Sequence, residues 1–398
     1  MSSDQRFEVA VVGGGIIGLA VAWRARQRGM EVLLLERERI GRGASYVAAG
    51  MLAPVAEAEF GAAGRSLLEL GVASAELWPA FAQELTEATG IDVGLSRSGT
   101  LLVARDGDEA RELERQLEFR RTLGLAVERL RASEAREREP ALAPTVRLAL
   151  EAPDDHSVDP RAVLAALRRA CELAGVVLRE HAPVARVELD AAGERVRGLS
   201  LSDGGLLQAD QVVLAAGAWT EGIEGLDGSR QMPVRPVKGQ IMRLRDPAGH
   251  GLFERVLRFE GGYLVSRGDG RYVLGATVEE RGFDLAATAG GVYELLRDAH
   301  ELLPGLAELE IEELSVGLRP GTPDNAPVIG PGAVAGLTWA SGHYRNGVLL
   351  APVTAWLLAE QMTGAAPSPA LLQACAPARF HRPEPARSSA AAQAGALP

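Results

Sequence analysis

Gly13, Gly15 and Gly18 stand in the spacing G-x-G-x-x-G, and an acid, Glu36, closes the apolar run that follows. Those residue types in that order suit one task, holding the pyrophosphate and ribose of a dinucleotide. Gly13 permits a tight turn, Gly15 lets backbone approach a pyrophosphate, and Gly18 allows a helix to pack closely on a strand. Glu36 suits a ribose with a free 2′-hydroxyl and would repel a 2′-phosphate. The motif therefore predicts FAD or NAD rather than NADP. The elements that must position it are present: an apolar run at 9–12, the glycines, a helix to about residue 28, Gly29 as terminator, and a second apolar run to residue 36. Strand, glycine turn, helix and strand is the setting that makes the spacing specific. The helix N-terminus offers unpaired N–H groups and partial positive charge to phosphates.

Composition narrows the class. The 398 residues allow two domains and a substantial core, and a hydrophobic content of 47% is ordinary for a globular enzyme. A net charge of −11 without a basic cluster argues against nucleic acid as a partner. Cys171 and Cys375 form no CxxC and the six histidines show no metal-ligand spacing, so no metal is expected and a reducing cytoplasm fits. With only a few polar residues before the first strand no cleavable signal peptide is expected, and no apolar run approaches membrane-spanning length.

Residues 36–54 read as a loop of small residues. Either Arg42 meets a phosphate or ribose there while Ser45, Ala48, Ala49 and Gly50 let backbone lie against a flat ring, or it is an ordinary surface loop. An amphipathic helix is predicted over 66–89 with Trp78 and Phe81 in its core face. A strand at 99–104 and a charged helix at 108–123 with a solvated face follow. Asp159 and Pro160 read as N-cap and first helical position. That helix runs to about 174, where Gly175 ends it, with Cys171 as a small buried hydrophobe. Strand 176–178 and a hairpin over 182–207 lead to strand 211–216, which ends in Gly217-Ala218-Trp219. A glycine at that strand end brings backbone near the cofactor again. Because hairpins follow, rather than further βα units, FAD is favoured over NAD. Residues 232–314 carry these hairpins and a helix at 290–303, predicting an antiparallel sheet over one face of a flavin ring. Residues 317–324 read as a loop. Strand 337–341 then leads through 342–347 into a helix over 348–362, a second anion site.

The predicted fold class is α/β. A discontinuous Rossmann-like FAD-binding domain (1–90, 151–230 and 315–365) carries an inserted antiparallel-sheet substrate domain (91–150 and 231–314). Residues 366–398 are expected to be a disordered tail.

Seven segments carry a family resemblance: VVGGGIIGLA with Glu36, AAGML at 48–52, VKGQ at 237–240, GYLVSR at 262–267, GAT at 275–277, GLRPGTPD at 317–324 and GHYRNGVLLAP at 342–352. Together they resemble the glycine oxidase branch of the D-amino-acid oxidase and sarcosine oxidase family of FAD-dependent amine oxidases. The match runs in family order from about residue 9 to 362, and GLRPGT and GHYRNG narrow it more than the dinucleotide motif does. The resemblance implies non-covalent FAD held by Gly13, Gly15, Ile16, Ile17, Gly18, Glu36, Arg37, Arg42, Ser45, Ala49, Gly50, Met51, Val184, Ala216, Gly217, Trp219, Gly342, His343, Arg345, Asn346, Gly347 and Val348. It implies hydride transfer from a neutral amine to flavin N5, giving imine, then glyoxylate and ammonia, with O₂ reduced to peroxide. A role in supplying thiamine thiazole synthesis and a homotetramer are implied as well.

An amino-acid substrate needs its carboxylate clamped so that Cα–H faces the flavin. Arg319 is assigned that role because guanidinium binds carboxylate through two parallel hydrogen bonds; the alternative is an arginine bridging loop carbonyls. Tyr263 adds a hydroxyl donor, or packs. Arg345 binds substrate or holds the flavin edge, and His343 is a polar wall or structural; the residues alone do not separate these. Backbone amides of Gly347 and Val348 would stabilise charge gathering on the reduced flavin. Two departures from the resemblance, Gly261 and Val278 where histidine and methionine often stand, reduce bulk and extend the expected substrates to sarcosine and small D-amino acids such as D-alanine. The rivals are a quinone-linked D-amino-acid dehydrogenase, a 2-hydroxy-acid oxidase, and a non-catalytic or partner-dependent flavin scaffold.

Overall fold

The computed structural model describes residues 6–59, 62–249, 251–364 and 369–380. Its centre is the strand Arg6–Val12, flanked in parallel by Leu206–Leu214 on one side and Val32–Leu35 on the other. Leu337–Ser341 and Val177–Arg179 extend the parallel set at either end, and Val328–Pro331 closes one edge antiparallel. Val32–Leu35 and Leu337–Ser341 are buried along their whole length, as strands covered on both faces must be, which explains why they read as unbroken apolar runs. The helix Ile16–Gln27 is apolar on nearly every side and packs against Pro160–Ala174 and Ala351–Met362. A helix without a polar face has no place at a surface. The long helix Ala62–Thr89 completes this layer, with Trp78 and Phe81 buried and Trp78 Nε1 donating to the Leu349 carbonyl at 2.9 Å.

Among the described residues a second sheet has the order Glu310–Gly321, Arg235–Arg245, Arg271–Gly275, Gly262–Ser266, Val256–Phe259, Thr100–Ala104, Leu148–Ala152, Glu128–Arg131. Its neighbours are antiparallel except Val256–Phe259 beside Thr100–Ala104. The helix Ala289–Leu302 packs its buried face on this sheet, with Thr288 as N-cap. Arginines tie the second sheet to the segments and helix packed between it and the first. Arg267 donates to the carbonyls of Val158 and Ala49 at 2.7 and 2.6 Å, and Arg161 forms a paired bond with Glu313 at 2.9 and 2.7 Å.

Three expectations are corrected. Residues 317–321 are not loop but the end of the strand Glu310–Gly321, paired along its length with Arg235–Arg245, so residues 315–321 lie in the second sheet. The prolines and glycines there read as a turn, yet this is an edge strand, where a missing N–H is tolerated. The last helix begins at Ala351, not residue 348; residues 347–350 form a preceding turn in which Leu350 N donates to the Asn346 carbonyl at 2.8 Å. Within the expected tail, Pro369–Gln373 is helical, Cys375 is buried, its carbonyl accepts from Ile329 N at 2.9 Å, and Arg379 pairs with Asp324 at 2.8 Å. Pro/Ala-rich composition hid apolar positions that dock on the core. The tail beyond residue 380 lies outside the described residues. Among those residues no helix is long and apolar enough to cross a membrane.

Candidate active site

The glycines of the first turn differ in what they exclude. Gly13 has φ +111°, and a Cβ there would collide with the Ala215 carbonyl; one on Gly18 would collide with the Gly13 carbonyl. A Cβ on Gly15 would meet only Ser45 Oγ, at 3.4 Å, so protein packing does not demand glycine there. The bare Cα of Gly15 instead lines a cavity of about 670 Å³. That is the space a pyrophosphate pressed against backbone needs, and the chain fits a dinucleotide on this ground. Glu36 lines the same cavity and accepts from Gly14 N at 2.7 Å and Glu38 N at 3.0 Å, which fixes its carboxylate at the strand end. Ser45 Oγ accepts from Ile16 N at 3.1 Å and ties the 44–50 segment to the helix start. Arg37 lies 3.7 Å over the Trp219 ring, and Arg42 lies 4.3 Å over Tyr46.

The far end of the cavity is a face of the second sheet. Register places Arg258 opposite Tyr263, Tyr263 opposite Gly275, and Arg319 opposite Val237 with Gly317 opposite Gly239 two residues along. Since side chains alternate, Arg258, Tyr263 and Arg319 share the face that lines the cavity. Glycines on that face let the long side chains lie flat. The Tyr263 hydroxyl sits 2.7 Å from where a Cβ on Gly275 would be, and Arg319 Nη2 and Cζ sit 2.5 and 2.6 Å from where one on Gly239 would be. Their polar ends consequently lie close, and the Arg319 charge acts on the Tyr263 hydroxyl. Arg319 Nη1 also donates to the carbonyls of Thr277 and Lys238 at 3.1 and 3.3 Å. A guanidinium has five N–H groups, so donors remain for a carboxylate in the cavity. Burial holds the Tyr263 phenol above its ordinary pKa against the pull of Arg319, so it stays a protonated donor.

Behind this face a turn is pinned from both sides. Asp155, fully buried, accepts from Val55 N at 3.0 Å and Ala56 N at 2.7 Å, while Arg120, also buried, donates to the carbonyls of the same two residues at 2.9 Å each. Burial pushes the Asp155 carboxyl up to about 7 and the Arg120 guanidinium down to about 10. Arg120 belongs to the helix Gly107–Thr122, whose charges were expected merely to form a solvated face. The next residue, Glu57, enters the cavity and pairs with Arg258 at 2.5 Å.

Tyr263 and Arg319, assigned to substrate, and Arg345, assigned to substrate or the flavin edge, line one cavity with Gly13, Gly15, Ile16, Ile17, Glu36, Arg37, Arg42, Ser45, Ala49, Gly50, Met51, Val184, Ala216, Gly217, Trp219, His343, Asn346, Gly347 and Val348. Gly18 and Gly342 stand outside the lining: the first packs on Gly13, and Gly342, at φ +73°, leaves 2.6 Å between its absent Cβ and Thr322 Cγ2. Burial works against charge on Arg345, but Glu57, Tyr344 and Glu59 outweigh it and hold its pKa above the ordinary value. His343 is buried, its Nε2 lies 3.1 Å from Thr354 Oγ1, and burial pushes it down to about 3; it is a neutral wall, not an acid. Gly261 and Val278 line the cavity, although φ +90° at Gly261 makes glycine a demand of its turn. Glu57 and Arg258 were missed. Arg258 was findable, because the Gly261-Gly262 turn sets the register that puts it across from Tyr263; Glu57 carries no spacing signal.

Comparison with known proteins agrees with this geometry. The family described as FAD dependent oxidoreductase matches residues 8–361. Glycine oxidase of Geobacillus kaustophilus is 38% identical over 357 residues, covering 89% of this chain and 92% of that protein. The bifunctional protein ThiO/ThiG of Synechocystis is 37% identical over 380 residues, and the chain spans about half of it, 54%. The crystal structure of glycine oxidase from Geobacillus kaustophilus superposes with a TM-score of 0.84 at 36% identity, covering 91% of this chain and 96% of that one. With the dinucleotide cradle, the two-sheet architecture and a match over nearly the whole folded chain in hand, this protein belongs to the FAD dependent oxidoreductase family.

Proposed function

We propose that the chain oxidises glycine, and other small amines such as sarcosine and small D-amino acids, to the imine, which hydrolyses to glyoxylate and ammonia. The observation that carries this reading is the convergence of Arg319 and Tyr263 across Gly239 and Gly275 at the end of a cavity whose other end is the dinucleotide cradle. The similarity to glycine oxidase supports it. FAD, when bound, supplies the acceptor for the hydride leaving the amine carbon. The chain supplies orientation. Arg319 holds the substrate carboxylate by paired charge-assisted bonds, Tyr263 adds a neutral donor, and together they set the direction of Cα–H. Arg37, Arg42, Glu36 and the Gly13–Gly18 turn hold the dinucleotide, and Arg345 borders the substrate end. The N–H groups of Gly347 and Val348 have no acceptor among the described residues and lie along the cavity, where they suit negative charge gathering on a reduced ring. Molecular oxygen is the proposed acceptor, with peroxide released. The likeness to a ThiO/ThiG protein supports a role in supplying thiamine thiazole synthesis. A cytoplasmic homo-oligomer, a tetramer, is the proposed physical state.

Anaerobic mixing of the holoenzyme with glycine, followed by flavin absorbance, tests the reading. Bleaching, then recovery with one peroxide per turnover in air, is expected. A flavin that stays oxidised with glycine, sarcosine and D-alanine but bleaches with a 2-hydroxy acid refutes it. Bleaching with glycine that only a quinone reverses removes the oxygen assignment.

A further inference from the structure

Two buried charged groups are spent on one turn. Asp155 takes both N–H groups of Val55 and Ala56, and Arg120 serves both carbonyls. Holding ions in the interior is costly unless each is fully bonded, and such a clamp fixes whatever the turn carries. It carries Glu57. Three acids line the cavity among the described residues: Glu36 and Glu38 belong to the dinucleotide end, and Glu57 stands at the substrate end. Its side chain is 15% exposed and is braced by Arg258, which is itself 23% exposed and stands opposite Tyr263 in the hairpin. Through Arg258, which stands opposite Tyr263, Glu57 is placed beside the strand that carries the clamp's hydroxyl, and burial aside its charge acts on Tyr263 after that of Arg319. Arg345 feels Glu57 before any other charge.

A zwitterionic amino acid brings two charges into this end of the cavity. Its carboxylate is matched by Arg319 and Tyr263; its ammonium has one acid to meet at this end, and must release a proton to solvent to become the neutral amine from which hydride leaves. Resting on the function proposed above, we infer that Glu57 is the specificity-determining carboxylate that recognises the substrate's amino group, with Arg258, Asp155 and Arg120 as the residues that position it. The site then selects amino acids over hydroxy acids: a hydroxyl in place of the amino group leaves Glu57 with Arg258 as its sole partner there among the described residues and no bond to the ligand, and sites built to bond a polar group reject analogues that lack it.

The test uses the holoenzyme, with two ligands that share the carboxylate and differ in the amine. Glycine is the substrate and glycolate the anion that lacks an ammonium, each followed through the flavin spectrum. Glu57→Gln keeps size and flavin binding, and is expected to raise KM for glycine roughly tenfold or more while glycolate binds as tightly as before or better. Glu57→Asp restores part of the glycine KM. Asp155→Asn, which loosens the turn without touching ligand, shifts KM for glycine in the same direction and leaves glycolate affinity in place. Parallel weakening of glycine and glycolate in Glu57→Gln, or no change in either, overturns the inference. Failure of the underlying function is separate: the unmutated protein would then not be reduced by glycine at all.

Discussion

Gly239→Ala is the sharpest probe of the proposed carboxylate clamp, because it changes no group proposed to touch substrate. A methyl at Gly239 would stand 2.5 Å from Arg319 Nη2 and 2.6 Å from Cζ, where ordinary contact begins at 3.4 Å. Nη1 stands closer still, so the overlap is somewhat over 1 Å, and the atoms in the way are the tip of a flexible side chain. Relief comes from swinging the guanidinium aside, at about 0.5–1.5 kcal/mol for an off-rotamer side chain. A loss of that size lowers Tm by only about 2–4 °C, and the fold and the dinucleotide end remain. Paired guanidinium–carboxylate bonds do not survive such a move, and a misplacement of about 1 Å costs roughly 10²-fold in rate. We expect kcat/KM for glycine to fall about 100-fold, equivalent to about 2.7 kcal/mol of transition-state stabilisation. Thermal melting and the flavin spectrum establish that the variant is folded and loaded. Anaerobic stopped-flow reduction by glycine then gives the binding and chemical steps separately. A folded, flavin-loaded variant that turns over glycine at the original rate would mean that the position of Arg319 is not used.

Two further outcomes follow from the same geometry. Gly15→Ala should leave the melting temperature of the flavin-free protein nearly unchanged, since its methyl meets only Ser45 Oγ at 3.4 Å, yet weaken FAD in a titration of the apoprotein; equal affinity would show that backbone at Gly15 does not approach the pyrophosphate. Glu313, bound by Arg161 of the helix Pro160–Ala174, has its carboxyl held down at about 2 against an ordinary 4.5. A depressed acid stabilises the fold fully above the ordinary value, and that contribution fades as pH falls from 4.5 through 2. Glu313→Gln should therefore lower Tm at neutral pH, with the gap to the original protein closing over that acid window. A gap independent of pH would assign the loss to packing instead.

The nucleotide half was legible because its signals are local. Gly13, Gly15, Gly18 and Glu36 act within one strand–turn–helix–strand unit, and Asp159, Pro160 and Gly175 mark their helix by backbone chemistry that needs no distant partner. Apolar runs such as 32–35 announce burial on both faces whatever packs there. The substrate end is different. Tyr263 and Arg319 were nameable from family resemblance, but that they lie flat and close depends on Gly275 and Gly239 on other strands, hence on register across four strands of a sheet. Residues 317–321 read as loop because proline and glycine oppose strand formation locally; the edge position that makes them tolerable exists only once the sheet is assembled. Glu57 and its buried clamp were invisible for the same reason. Asp155 and Arg120 stand far from Glu57 in the chain, and a charged residue is read as solvated until folding supplies its partners. Local backbone preference and apolar periodicity are written along the chain, whereas the pairing of buried charges and the sharing of a sheet face are properties of tertiary structure alone.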